Sequence, residues 1–410
     1  MRVDEWPLGD FVKEGRNIVA IEASNPAVNT FYLPEQSGYL LAEVVSGGRT
    51  LAATGRDFRA MRLPRVARTN RFSYQREFAE FYAVSPESYA WRIDGVLGAG
   101  LPFAEAPMPK PLGRGAPYPK FALDGTFRPT MRTSLRRDPA RKCKPRSCVE
   151  DAGKGTFKGF AKEDLEVNFS DAIQQLALEK SQPSAAKLPC RLAANARTSR
   201  MEGVVFEGSR NTAGFPKVEV NCIRPATVWI VMDELAGPDG LPDPVRYFNC
   251  VNACGWRLEK PGRYSLECFQ PYGLKCAHVV VEDGEAEVLG FDLRTYLNPD
   301  AARAAFRCSD QAFDKVFAAA AQSLACNAAD AFTDCPGRER GVYFGDTVFT
   351  ARGADVLLGD TLMERTQFEN YALAPRFPGV PDGLIPMLYP GDTTIGEAHW
   401  IPNFCMWSVI

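Results

Sequence analysis

The chain has 410 residues, 45% of them hydrophobic and 24% charged, proportions of an ordinary globular protein with room for two to four domains. A formal net charge of −2 excludes an electrostatic nucleic-acid binder. No apolar run approaches the ~20 residues that a membrane-spanning helix needs, so neither nucleic acid nor membrane is an expected partner.

The N-terminal stretch MRVDEWPLGDFVKEGRNIVAIEAS has no basic segment followed by an apolar one, so it does not read as a signal peptide. It reads instead as the interior of a domain already begun. The 12 cysteines form no CxxC pair. With only His278 and His399 beside them, neither a metal site nor a cofactor is expected. Cys222, Cys268, Cys276, Cys308 and Cys326 fall at apolar-patterned positions and read as small core residues. Reduced thiols and no leader make the expected compartment the cytoplasm.

Residues 1–110 read as a β-sandwich. Asn17–Ala23, Tyr39–Val45 and Trp91–Val96 are strand-length segments separated by Asn-Pro and Gly-Gly turn signals. Residues 111–202 read as a linker or irregular insertion. Its basic run from Arg132 to Arg146, broken by a single acid at Asp138, is either an anion patch or a solvated loop; without interleaved aromatics the solvated loop is favoured. A second sandwich is expected over 203–298, with strands at Val218–Val220, Thr227–Met232, Tyr264–Phe269 and His278–Val281.

At about residue 299 the apolar period changes from two to 3.6. Ser309 is the expected N-cap of a helix whose face carries Phe313, Val316, Phe317, Ala320 and Leu324. A second helix from Thr347 is expected to bury Phe349, Val356 and Leu357, and a third covers Thr361–Leu373. A Pro/Gly-rich loop follows over 376–400, and Ile401-Pro402 opens a further helix.

Between the first two helices lies DCPGRERGVYFGD, Asp334–Asp346. So dense a cluster of charge between packed helices is costly unless it lines a polar pocket. Glu339 is the residue best suited to proton transfer. Flanking Arg338 and Arg340 favour its carboxylate, whereas burial or the neighbouring Asp334 and Asp346 favour its acid form. It is therefore either a general acid or an ion-paired loop residue. Asp334 is a turn former or a ligand contact, and Asp346 a helix N-cap or a ligand contact. Arg338 could fork onto a sugar hydroxyl or a carboxylate, or merely lock the loop. Tyr343 and Phe344 could wall a sugar's apolar face or be core.

The stretch TDCPGRERGVYFGDTVFTARGADVLLGD resembles the signature of glycoside hydrolase family 78, the α-L-rhamnosidases, commonly DCPxRERxGWxGD followed by a helix. CSDQAFDKVFAAAAQSLACNAADAF, PDGLIPMLYP and IPNFCMWSVI resemble segments of that family's barrel. Pro271–Gly273 through Phe291–Tyr296 resembles its sandwich. The likeness covers roughly 1–95 and 203–410. It implies β-sandwich domains followed, over 299–410, by the start of an (α/α)6 barrel, the six-hairpin glycosidase fold. It implies an inverting hydrolase that removes terminal α-L-rhamnosyl groups from glycans or glycosides. Glu339 would protonate the leaving group, while Asp334, Arg338 and Asp346 would hold the rhamnose hydroxyls. Tyr343 and Trp400 would wall the pocket.

Two positions depart from the pattern: Gly337 replaces Gln or Ser, and Tyr343 replaces Trp, which keeps another sugar open. Residues 299–410 hold about four helices at ~12 residues each with ~5-residue loops, against the twelve the family implies. Inversion also needs a second carboxylate about 6.5–9.5 Å from the acid. In the family that base lies far downstream, and nothing matches Asp392 or Glu397 to it. The expectation is thus a C-terminally truncated member, weakly active or inactive alone. The alternative from another class is a non-catalytic carbohydrate-binding sandwich protein, whose glycan binding would survive loss of 299–410. Oligomeric state is not legible.

Overall fold

The structure, a computed structural model, describes residues 2–63, 66–96, 100–101, 110–154, 157–182, 186–195, 197–243, 245, 250–392 and 400–409. In chain order its strands begin with β1 (Arg2–Val3), β2 (Glu43–Ser46), β3 (Arg49–Ala53), β4 (Phe81–Val84), β5 (Leu112–Gly113) and β6 (Arg128–Arg137). They continue with β7 (Leu176–Gln182), β8 (Cys190–Ala193), β9 (Arg200–Asp233), β10 (Ala253–Leu258), β11 (Gly262–Glu267) and β12 (Tyr272–Thr295). The α-helices are α1 (Trp91–Asp94), α2 (Ser147–Glu150), α3 (Phe169–Gln174), α4 (Gln311–Asn327), α5 (Phe344–Leu358), α6 (Leu362–Ala372) and α7 (Pro402–Trp407).

β9 and β12 are long enough to serve two layers each. Residues 276–281 of β12 lie between 202–207 and 228–233 of β9, partner numbers falling as β12's rise. On the outer sides, β6 pairs with 200–207 of β9 and with β7, while β10 pairs with 226–231 of β9 and with β4. Past Gly284, β12 enters a second layer. There its residues 286–295 pair with 214–222 of β9, flanked by β11 and β8. Alternate residues point between the layers: Val204, Phe206, Val228, Ile230, Trp256 and Val279 meet Val218, Val220, Leu266, Val288 and Leu293 in one core. This period-2 pattern makes a sandwich, each fully buried side chain contributing ~1.5–3 kcal/mol of transfer free energy.

The first layer's outer face carries Phe81, Leu135, Trp229, Val231 and Val280, covered by Cys148 and Val149 of α2 and by Phe169 and Ile173 of α3. The stretch 111–202, expected as linker or insertion, thus supplies β6, β7 and β8 together with this covering. β6 is hard to recognise because its basic residues disguise an alternation: Met131, Thr133 and Leu135 are buried, Arg132 and Arg136 are not. Arg132 pairs with Glu202 at 3.0 Å.

The N-terminal strands expected at Asn17–Ala23 and Trp91–Val96 do not form. Ile18, Val19 and Ile21 are exposed and unpaired to any described strand. Trp91–Asp94 is one helical turn that follows a 3-10 turn, Pro86–Tyr89, opened by a Ser85–Ser88 capping box, and it is stopped by Gly95 at φ 66°, a left-handed position that suits glycine. Of Tyr39–Val45, only the end joins β2, which turns into β3 at Gly47-Gly48.

The helices follow their expected order with shifted ends. Asp310, not Ser309, caps α4, its Oδ1 accepting from Ala312 N at 2.8 Å. α5 starts at Phe344, so Tyr343 is its N-cap and Asp346 lies inside the first turn. The buried helical contacts join Leu324 and Ala328 to Phe332, Ala351, Ala354 and Met363. Because that packing is concentrated at one end of α4 and one face of α5, Phe313, Val316, Phe349 and Val356 stay exposed, contrary to the stripe read from sequence. Asn298 docks the helices on the sandwich: it is buried, its backbone N–H donates to Ala325 O and its Nδ2 to Ala328 O, both at 2.9 Å.

Candidate active site

The connection from α4 to α5 is a tight loop built by its own residues. Asp334 N donates to Gly341 O at 2.9 Å, and Gly341 N donates back to Asp334 Oδ1 at 2.7 Å. Asp334 is therefore a loop clasp, the turn-forming role open to it from sequence. Burial, with a contribution from Glu339's charge, pushes its carboxyl up to about 6. Between the clasped ends, Arg340 sits at φ 54°, an uncommon conformation for a non-glycine residue that surrounding contacts must hold. Its guanidinium lies 4.7 Å from the Tyr32 ring centroid and 5.9 Å from that of Tyr296.

Glu339 is buried at 5% exposure. Its Oε2 accepts the Tyr343 hydroxyl at 2.5 Å and its Oε1 pairs with Arg338. The two readings of Glu339 merge here: it is ion-paired, yet inside. A buried carboxyl with both oxygens engaged is held in one orientation, which a free surface carboxylate is not. Arg338 is more accessible, with 38% of its side chain exposed. Burial and the charge of Glu339 push the Tyr343 hydroxyl far above its usual range, so it stays a donor.

Asp346 is exposed in the first turn of α5, and its carboxyl is raised by partial burial and by Glu339. It shares Glu339's electrostatic surroundings without capping the helix. Phe344 is core, packed edge-on against Phe368 and Tyr371. Trp400 is half-buried beside α7; among the described residues it makes no ring contact or hydrogen bond with the Asp334–Asp346 loop. Asp392 N donates to Thr30 O at 2.8 Å, and Glu397 lies outside the described residues. Among the described residues no cluster of His, Cys, Asp and Glu has the arrangement of a metal site.

Sequence reasoning missed the N-terminal segment's share of the site. Phe31 packs edge-on to Tyr343 and to Tyr74, with ring centroids 6.0 and 6.1 Å apart. Tyr74's hydroxyl is raised by burial and by the charge of Glu339. No local signal marks Phe31 or Tyr74; only the folded chain brings residues 31, 74 and 343 together.

Residues 301–408 match the family described as the bacterial alpha-L-rhamnosidase 6 hairpin glycosidase domain. No curated protein matches the chain. Among solved structures, the GH78 family rhamnosidase of Bacillus sp. GL1 aligns with a TM-score of 0.65 at 15% identity, over 93% of this chain and 56% of that one. The chain therefore spans a little over half the length of that enzyme, and shares its fold over that span. A rhamnosidase from Klebsiella oxytoca, solved with rhamnose bound, aligns with a TM-score of 0.42 at 14% identity, over 64% of this chain and 47% of that one. The helical segment that carries Glu339 lies wholly within the residues that match the six-hairpin glycosidase domain of the bacterial alpha-L-rhamnosidases.

Proposed function

We propose that this site serves the hydrolysis of terminal α-L-rhamnosyl groups on a glycan or glycoside, within an (α/α)6 barrel, with inversion at the anomeric carbon. The observation that carries the reading is Glu339, buried and oriented by Tyr343 and Arg338 within a loop of the matched glycosidase domain. Glu339 acts as general acid and protonates the departing glycosidic oxygen, a step that contributes typically 10²–10⁴-fold. Tyr343 keeps the carboxyl aimed. Arg338, from its accessible position, and Asp346, from the first turn of α5, bind hydroxyls of the sugar, and Asp334 holds the loop and completes the polar wall. Trp400 lines the far side of the sugar.

The reading is tested with paired substrates. Glu339→Gln should lower kcat by about 10²–10⁴-fold on an alkyl α-L-rhamnoside, whose leaving group needs a proton. It should lower it far less on a dinitrophenyl rhamnoside, whose leaving group does not. Proton NMR of the first product should show β-L-rhamnose. An unaltered rate on the alkyl substrate would remove Glu339 from the acid role, and α-L-rhamnose as first product would exclude inversion. Cleavage of other glycosides in preference to rhamnosides would reassign the sugar.

A further inference from the structure

We propose that the hairpin tip Phe72–Glu77, far from the helical segment in sequence, is the positioning element of the Glu339 loop. The tip is itself a rigid turn. Phe72 N donates to Glu77 O at 2.8 Å and Arg76 N to Ser73 O at 3.2 Å, while Arg71 Nε donates to Arg76 O at 2.7 Å. From it, Arg76 Nη1 donates to Gly337 O at 2.6 Å and Nη2 to Pro271 O at 3.2 Å. Ser73 Oγ donates to Arg338 O at 3.3 Å. The two carbonyls gripped are those of the two residues immediately before Glu339, so the tip fixes the peptide planes that aim it.

Arg76 has no exposed surface. Its guanidinium lies over the Phe72 ring at 4.3 Å and the Tyr272 ring at 5.5 Å, with Glu77 Oε1 at 3.6 Å. A buried cation is tolerated only when stacked and hydrogen-bonded in this way. Each of its two terminal nitrogens reaches a different body: one the Glu339 loop, the other the residue that leads into β12. Arg76 thus bolts the loop to the sandwich, which offsets the tendency of Arg340 to leave its left-handed conformation. Both bonds to the loop go to backbone oxygens, so the bolt is independent of the motif's side chains.

The kinetic part of this proposal rests on Glu339 being the acid; the structural part does not. Cys335 reports on the latter, because its half-buried Sγ accepts from Glu339 N at 3.4 Å inside the loop. In the full chain, iodoacetamide labelling mapped by mass spectrometry would compare Cys335 with exposed Cys308. Arg76→Met should raise Cys335 labelling about 10-fold relative to Cys308, Ser73→Ala a few-fold, and Arg76→Lys least, at a level set by a point charge without a fork. If Arg76→Met does not fold, Ser73→Ala and Arg76→Lys decide. Unchanged Cys335 labelling in the folded variants overturns the proposal. On the alkyl rhamnoside, Arg76→Met should lower kcat about 100-fold with KM within about 3-fold, and the dinitrophenyl substrate should suffer much less. Equal losses on both substrates would mean general damage and overturn the positioning role. A silent Glu339→Gln in the same assay would dispose of the acid assignment alone, leaving the Cys335 comparison to decide the bolt.

Discussion

Tyr343 holds one oxygen of Glu339 through a 2.5 Å hydrogen bond and is also the N-cap residue of α5, its carbonyl accepting Thr347 N at 3.0 Å and Thr347 Oγ at 2.8 Å. One residue thereby ties the orientation of a carboxyl to the start of a helix. Hydrogen bonds to charged groups are worth ~1.5–3 kcal/mol, so Tyr343→Phe should lower kcat on an alkyl rhamnoside by about 10–100-fold with little change in KM. Steady-state kinetics check this, and an equal rise in KM would point to lost sugar binding instead. That Asp334, Arg338, Glu339 and Asp346 gather in one polar loop between helices was legible from their density in the sequence. The individual roles were less so. Whether Glu339 was inside or outside depended on Tyr343 and Arg338 in three dimensions, and Asp334's work as a clasp depended on Gly341 reaching back to it. Arg76 was not legible at all, because a side chain gripping the backbone oxygen of Gly337 leaves no pattern in either segment.

At the level of elements, β12 passes from one layer of the sandwich to the other at Gly284, which sits at φ 68°. A Cβ there would stand 1.9 Å from the carbonyl oxygen of Pro225, which cannot swing away as a side chain would. Gly284→Ala should therefore destabilise the protein by about 2 kcal/mol or more, read as a lower urea midpoint at unchanged m-value; a change below ~0.5 kcal/mol would show that the corner relaxes freely. The strands at 218–220 and 264–269 were legible from their two-residue period, and those at 227–232 and 278–281 from apolar β-branched runs, which suit a layer buried on both faces. Ile18, Val19 and Ile21 are strand-forming side chains without a partner strand, so local propensity alone misled. In the helical part, period 3.6 located α4 to α7, but the side that packs was set by neighbours such as Phe332 and Met363.

For the molecule as a whole, buried carboxyls make stability depend on pH. Burial pushes Glu77 up to about 7 and Asp334 up to about 6. A folded state that holds protons more tightly than the unfolded chain is favoured at low pH. The stabilisation is complete below about pH 4 and is lost as pH rises through about 6 for Asp334 and about 7 for Glu77. His278, lowered to about 3 by burial, acts in the opposite sense as pH falls below 6.5, so the comparison is best made between variants. Glu77→Gln should be neutral at pH 4 and stabilising at pH 8 by on the order of 2 kcal/mol, measured as urea midpoints at both pH values. Equal shifts at the two would show that Glu77's ionisation is not the cause.

The bolt between Arg76 and Gly337 spans 261 residues. During synthesis at ~5–20 residues per second, Arg76 leaves the ribosome roughly 10–50 s before the carbonyl it grips exists. Within that interval its guanidinium gains the Pro271 carbonyl and the stacked Tyr272 only as the intervening sandwich is completed. The geometry of Glu339 is consequently settled late in the life of the nascent chain, after the sheets have closed, and a ribosome-bound intermediate would carry a finished scaffold around a Glu339 carboxyl not yet held in place.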